Sequence, residues 1–209
     1  MKISKSKTLS SEEEKTEEEE SQVMLIVPGK PEPDLRIIGL FTDITEDKLA
    51  DLVQGFYYLN EVNVLEEDEE EKKPIEFIIS TYGGSADAMM TLYDIMRLVM
   101  NDTEIHTFGV GKVMSAGVLL LAAGTKGKRK ISKNCRVMIH SVIGANHGEL
   151  HNLVNEMEEI QKLQETYSTC LIKETKITKR QLKKMLERKV NVYLTAERAV
   201  ELGIADIIV

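Results

Sequence analysis

The sequence predicts an α/β fold built from parallel βαβ units, with one long helix projecting beyond them. Three observations predict it. Short aliphatic and β-branched runs alternate with stretches whose apolar residues recur at helical spacing. Glycine-rich turns, "TYGGS" and "FGVGKVMSAG", stand at strand-to-helix junctions, where folds of this kind gather their chemistry. An apolar stripe from Leu150 to Leu171 runs further than a domain of this length needs for its own core.

Taken in order, residues 1–22 read as an acidic, disordered tail, and residues 23–35 as a connector in which the apolar run "VMLIV" is closed by "PGKPEP". Residues 36–209 form the folded domain. "RIIGLF" is strand-like, and "TDITEDKLADLVQGFYYLN" opens on capping residues and spaces Leu49, Leu52, Val53, Phe56 and Leu59 along one helical face. "PIEFIIS" is the next strand. After the glycine turn, Met89, Leu92, Ile95, Met96 and Val99 mark a second helix. "EIHTFGVG" is a strand, residues 112–124 a helix, and "RVMIHSVIG" a strand again. The long helix follows, with Leu150, Leu153, Val154, Met157, Ile160, Leu163, Tyr167 and Leu171 in its stripe. A stripe of that length suggests subunit packing.

Composition excludes several classes. The chain has 209 residues, 42% hydrophobic and 30% charged, enough for one substantial domain. Its two cysteines, Cys135 and Cys170, have neither disulfide-framework nor zinc-ligand spacing, which fits a reducing compartment and no metal. The longest apolar run, Val118 to Ala123, is far short of the roughly 20 residues of a membrane helix. The net charge of −8 is uneven: residues 1–73 hold 20 acidic and 9 basic residues, a local −11, and residues 74–209 hold 15 and 18, a local +3. "SSEEEKTEEEE" and "LEEDEEEKK" carry the acidity and read as solvated tail or loop. The one basic cluster, Lys126, Lys128, Arg129 and Lys130, lacks interleaved aromatics, so nucleic-acid binding is disfavoured. The acidic N-terminus has no apolar core of a signal or transit peptide.

One serine stands out in "GKVMSAGVLLLAAG", residues 111–124. By composition alone Ser115 reads as a helix serine that returns its hydrogen bond to the backbone. Its alternative is a nucleophile kept dry by apolar neighbours. Three segments read together favour the second. "YGGS" offers backbone donors for a developing oxyanion, "MSAG" a nucleophile, and "RVMIH" a histidine leaving a strand, 25 residues after the serine. His106, His147 and His151 have no such setting and read as surface or interface residues.

This ordered set resembles the proteolytic subunit of the Clp protease, the ClpP family of serine peptidases, from Arg36 to Val209. The resemblance rests on "GG" with "LYDIM" downstream, "MSAG" with "LLLAAGTKGKR", "NCRVMIH", and the closing "YLTAERAVELGIADII". It implies a ClpP/crotonase-like fold with a handle region over about residues 143–175. It also implies Ser115 as nucleophile, His140 as general base, and the backbone amides of Gly84 and Ala116 as the oxyanion hole. Two departures are mild: Tyr82 stands where the family has proline, and Ala116 where it has methionine. The third is chemical. The family's catalytic aspartate falls on Asn191, whose amide oxygen can orient a histidine but supplies no negative charge to its imidazolium. Glu187, one helical turn upstream, is a candidate substitute.

The resemblance further implies two stacked seven-membered rings enclosing the serines, with the long helix and "GANHG" making the ring-to-ring contact. Unfolded polypeptide would be delivered by a hexameric AAA+ ATPase unfoldase of the ClpX, ClpA or ClpC type, in the cytoplasm. That partner would spend the ATP, since this chain has no phosphate-binding loop and is expected to need no cofactor or metal of its own. The acidic tail occupies the place of the family's axial loops. Two other readings stand beside this one: a catalytically weak structural subunit of a mixed ring, which Asn191 favours, and a crotonase-type acyl-CoA enzyme, which shares the fold but generally works through carboxylates.

Overall fold

A computed structural model describes residues 35–144, 147–187 and 190–209. The expected tail 1–22, the "VMLIV" run and nearly all of the expected connector 23–35 lie outside the described residues.

Strand β1 (Ile37–Leu40), helix α1 (Glu46–Val64), β2 (Ile75–Thr81), α2 (Ala86–Val99) and β3 (Ile105–Met114) alternate as the hydrophobic periods require. β1, β2 and β3 pair in parallel, Ile37 opposite Glu76 and Ile75 opposite Ile105. The alternation along β2 buries Ile75, Phe77, Ile79 and Thr81 on one face. Helix α1 opens on Thr45, whose side chain accepts from the Lys48 amide, and buries Leu49, Leu52, Phe56 and Leu59. Phe56 meets Phe77 edge-on, centroids 5.1 Å apart, at the centre of this layer. Helix α2 is capped by Ser85 and buries Met89, Leu92, Met96 and Val99. Val53 and Ile95 sit half-buried at the edge of the core.

Two sequence expectations need correction. β3 runs on through Met114, and the expected helix 112–124 shortens to α3 (Ala116–Ala122), so Ser115 lies on the turn between them. The sheet is also not wholly parallel: β5 (Arg136–Ile139) pairs with β3 in parallel but with β6 (Val192–Leu194) in antiparallel fashion. Gly111, at a φ of 62°, divides β3 into two pairing halves. The first half pairs with β4 (Lys130–Ile131), which carries β7 (Ile207–Ile208), and the second half pairs with β5. The fork separates a structural branch from one that carries the chemistry.

Helix α4 (Leu150–Glu174) has 25 residues, about 37 Å at 1.5 Å per residue. Of its stripe only Tyr167 and Leu171 are buried, while Leu150 is 72%, Val154 49% and Met157 58% exposed. Helices α5 (Lys179–Leu186), which begins with a capping box at Thr178 and Gln181, and α6 (Ala196–Glu201) complete the chain.

The base of α4 is fixed by Glu174, which is 3% exposed. Its carboxylate accepts from the Tyr93 hydroxyl at 2.9 Å, Lys126 Nζ at 2.7 Å and Arg97 at 3.3 Å. Its carbonyl accepts from Arg129 at 2.8 Å, and Arg129 in turn clasps Asp206 at 2.6 Å. Burial pushes the Glu174 carboxyl up, but the hydrogen bonds from Lys126 and Tyr93 and the Arg97 charge outweigh it and hold the carboxyl below its usual 4.5. A depressed carboxyl stabilises the fold above its unfolded pKa, and this contribution is lost as pH falls through the lower folded value. Glu174→Ala strands the surrounding cations and is expected to cost about 3 kcal/mol. Calorimetry at neutral pH checks this as a thermal midpoint lower by roughly 6 to 12 °C. The difference from wild type should shrink in acid.

Candidate active site

The second half of β3 delivers Ser115 and its neighbour β5 delivers His140. Met114 pairs with Met138, and the Ser115 amide donates to the Met138 carbonyl at 2.8 Å, so both strands end side by side. Ser115 has φ 53° and ψ −123°, and among the described residues it is the one non-glycine at positive φ. Such a backbone costs on the order of 1–3 kcal/mol and occurs where function requires it. Here the sharp strand-to-helix turn lifts the side chain out of the helix, in the manner of a nucleophile elbow. The Ser115 hydroxyl makes no capping hydrogen bond to α3, so the expectation of a helix serine bonded to its own backbone does not hold.

The glycine turn packs directly on this serine. Gly83 has φ 110° and Gly84 φ 145°. A Cβ on Gly83 would stand 2.7 Å from Ser115 Cβ and 3.1 Å from its Oγ, and one on Gly84 would stand 2.3 Å from the Ile44 carbonyl oxygen. Only glycine satisfies both the torsion and the space. Thr81 braces the turn: its hydroxyl donates to the Thr42 carbonyl at 2.7 Å and accepts from the Gly83 amide at 3.0 Å. Ile44 donates to Gly83 O at 2.7 Å and accepts from the Ser85 amide at 2.9 Å. In this parallel bridge the Gly84 N–H points away from Ile44. The Ala116 N–H, first in α3, is one of the donors that a helix start leaves without an intrahelical partner. Gly83→Ala is expected to lower kcat/KM by about 10² by displacing Ser115. Peptide kinetics checks this beside a circular dichroism spectrum that should stay unchanged.

Gly84, Ser115, Ala116 and His140 line one cleft of about 480 Å³. His140 follows the last residue of β5 and is half-buried. Among the described residues no hydrogen bond joins it to Ser115. Asn191 does not line the cleft; it is exposed and immediately precedes β6. The antiparallel register sets Ile139 opposite Val192, and one further step along both strands sets His140 opposite Asn191. Glu187 lies elsewhere: it ends α5, pairs with Lys183 at 3.5 Å and lines a separate groove between α4 and α5. Among the described residues it shares no cleft with His140. The arrangement can present a hydroxyl to a carbonyl carbon, hold an imidazole beside it and aim two backbone N–H groups at the resulting oxyanion.

Other parts of the site escape sequence reading. Tyr167 looks like one more member of the α4 stripe, yet it lines the cleft with Ile160 and Leu163, as does Met89 of α2. Burial pushes its hydroxyl well above the usual tyrosine range, so it stays protonated. Tyr82 stands exposed at the cleft, with Lys112 Nζ 4.5 Å from its ring centre. His147 and His151 are exposed, as expected, but His106 is half-buried and bonds Glu76 at 3.3 Å and Glu104 at 2.8 Å. In the basic cluster, Lys126 bonds Glu174, Arg129 bonds Asp206 and Lys130 lies 3.7 Å from Glu76, so these cations serve the fold.

Comparison with known proteins agrees with this geometry. The Clp protease family profile matches residues 33–209. The ATP-dependent Clp protease proteolytic subunit 1 of Prochlorococcus marinus subsp. pastoris is 34% identical over 173 residues, which is 83% of this chain and 83% of that protein. The match speaks against an acyl-CoA enzyme on a related fold. With a strained serine at a strand end, a glycine turn packed on it and a family match spanning the whole described fold, the chain belongs to the Clp protease family.

Proposed function

We propose that this chain is the serine-type peptidase subunit of an ATP-dependent protease, cleaving unfolded polypeptide. The observation that carries the proposal is Ser115, lifted by its positive φ into a cleft it shares with His140 and the free amides of Gly84 and Ala116. Ser115 Oγ attacks the peptide carbonyl carbon while His140 takes its proton. The Gly84 and Ala116 amides hold the oxyanion. Collapse of the tetrahedral species expels the amine, which His140 protonates, and leaves an acyl-Ser115 ester. Water, activated by the same imidazole, then hydrolyses the ester and restores Ser115. Asn191 orients the imidazole through its amide oxygen, and its lack of charge keeps the rate low.

In this reading no metal or small-molecule cofactor enters the chain's own chemistry, and ATP is spent by an AAA+ unfoldase. Subunits assemble as two stacked heptameric rings in the cytoplasm. The exposed Leu150, Val154 and Met157 face of α4 supports assembly, and among the described residues no helix is long and apolar enough to cross a membrane. The test is covalent: a fluorophosphonate probe should add one phosphonyl group per subunit, mapped by peptide mass analysis to Ser115. Failure to label Ser115 in the assembled state, confirmed by native mass measurement, defeats the reading.

A further inference from the structure

His140 stands between two fixed points of backbone. Upstream, Ile139 pairs with Val192, and the Met138 carbonyl accepts from the Ser115 amide. Downstream the chain leaves the sheet, and residues 141–144 belong to no strand. This segment is nevertheless tied to α4. The Val142 amide donates to Gln164 Oε1 at 2.7 Å, across 22 positions of sequence. Two residues on, Gly144 lies so close to α4 that an added Cβ would collide with the Ile160 side chain. An extended chain advances about 6.7 Å over two residues and a helix about 6 Å over four, so ties from 142 to 164 and from 144 to 160 fit a segment laid antiparallel along α4. Gln164 is itself held in place. Its Nε2 donates to Ser168 Oγ at 3.2 Å, and that hydroxyl donates to the Gln164 carbonyl at 2.7 Å.

We propose that Gln164 is a positioning residue for the peptidase reaction: its amide oxygen hangs the chain that follows His140 on α4 and so sets how the imidazole approaches Ser115. The proposal rests on the peptidase reading above. Strand β5 alone cannot do this, because its ladder with β6 ends at Ile139. Without the Gln164 bond the nearest downstream tie is Gly144, four residues from the imidazole. A misplacement of about 1 Å at a reacting group can cost up to 10² in rate. Gln164 does not line the cleft and acts only through Val142.

Three variants test this at equal native mass. Gln164→Leu keeps the bulk and removes the acceptor, Gln164→Asn keeps the amide but shortens its reach by one methylene, and Gln164→Glu keeps an acceptor oxygen at the original reach. The first readout is the rate at which a small fluorophosphonate with no peptide portion labels Ser115, since this depends on the serine and histidine and not on peptide contacts. The second is hydrogen exchange of the amides of residues 141–144, followed by mass spectrometry. Gln164→Leu and Gln164→Asn should each slow labelling about tenfold, lower kcat/KM for a short fluorogenic peptide by a similar factor and speed Val142 exchange about tenfold. Gln164→Glu should return all three to within about threefold of wild type. Labelling at the wild-type rate in Gln164→Leu, a loss that Gln164→Glu does not repair, or unchanged exchange overturns the proposal. A wild-type Ser115 that takes no label defeats the peptidase reading, while the exchange rates still decide whether Gln164 holds this segment.

Discussion

Asn191→Asp is expected to raise kcat for a short fluorogenic peptide by on the order of 10⁴. The register of β5 and β6 carries the expectation, because it sets residue 191 across from His140. As the serine proton moves to the imidazole, a positive charge develops beside residue 191. An asparagine there offers a dipole and can also turn its amide nitrogen toward the ring, which then holds the wrong tautomer. An aspartate offers only acceptors and a full negative charge. The carboxylate costs little to install, because residue 191 is exposed in the protomer. Steady-state kinetics on wild type and variant checks the gain, and an unchanged kcat means that another group stands behind His140 in the assembled enzyme.

Ser115→Ala is expected to abolish fluorophosphonate labelling and to lower kcat by an amount that depends on residue 191. Triad members act as a unit, so their losses do not add. Where the carboxylate is already missing, serine and histidine retain roughly 10² of their usual combined effect, and Ser115→Ala should cost about that factor. In the Asn191→Asp background the same change should cost about 10⁶. The two values form a double-mutant cycle, and the difference between them measures the coupling of residue 191 to the nucleophile. Equal losses in both backgrounds would show that residue 191 is not part of the unit.

Much of this was legible in the sequence because the responsible forces are local and periodic. Leu49, Leu52, Phe56 and Leu59 announce α1, and the alternation in "PIEFIIS" announces β2, since burial of one face is what each period encodes. The glycine pair and the serine could be placed at one site because their order along the chain survives in the fold. The end of β3 is not legible because "GKVMSAG" is apolar on both sides of the turn, and apolarity alone cannot separate a strand that stops at Met114 from a helix that starts at Lys112. The antiparallel β6 escaped because three residues are too few to show a period, and its pairing with β5 spans more than fifty positions of sequence. Tyr167 escaped for a different reason. In a stripe of apolar residues a phenol looks like packing, and the missing partner of its hydroxyl is visible only in three dimensions.

Helix α4 belongs to two surfaces at once. Its inner positions Ile160, Leu163 and Tyr167 are a wall of the substrate cleft, and its outer positions Leu150, Val154 and Met157 are bare. Glu174 pins the base of this one continuous helix, so both surfaces are built on a single anchored element. If covering the outer face shifts this helix, occupancy of the two surfaces is linked, and any such linkage is reciprocal: whatever factor a partner on the outer face contributes to peptide affinity, a bound peptide returns to the association constant of that partner. The same helix that shapes the cleft is thus also the place where anything packed on its bare end would meet the site.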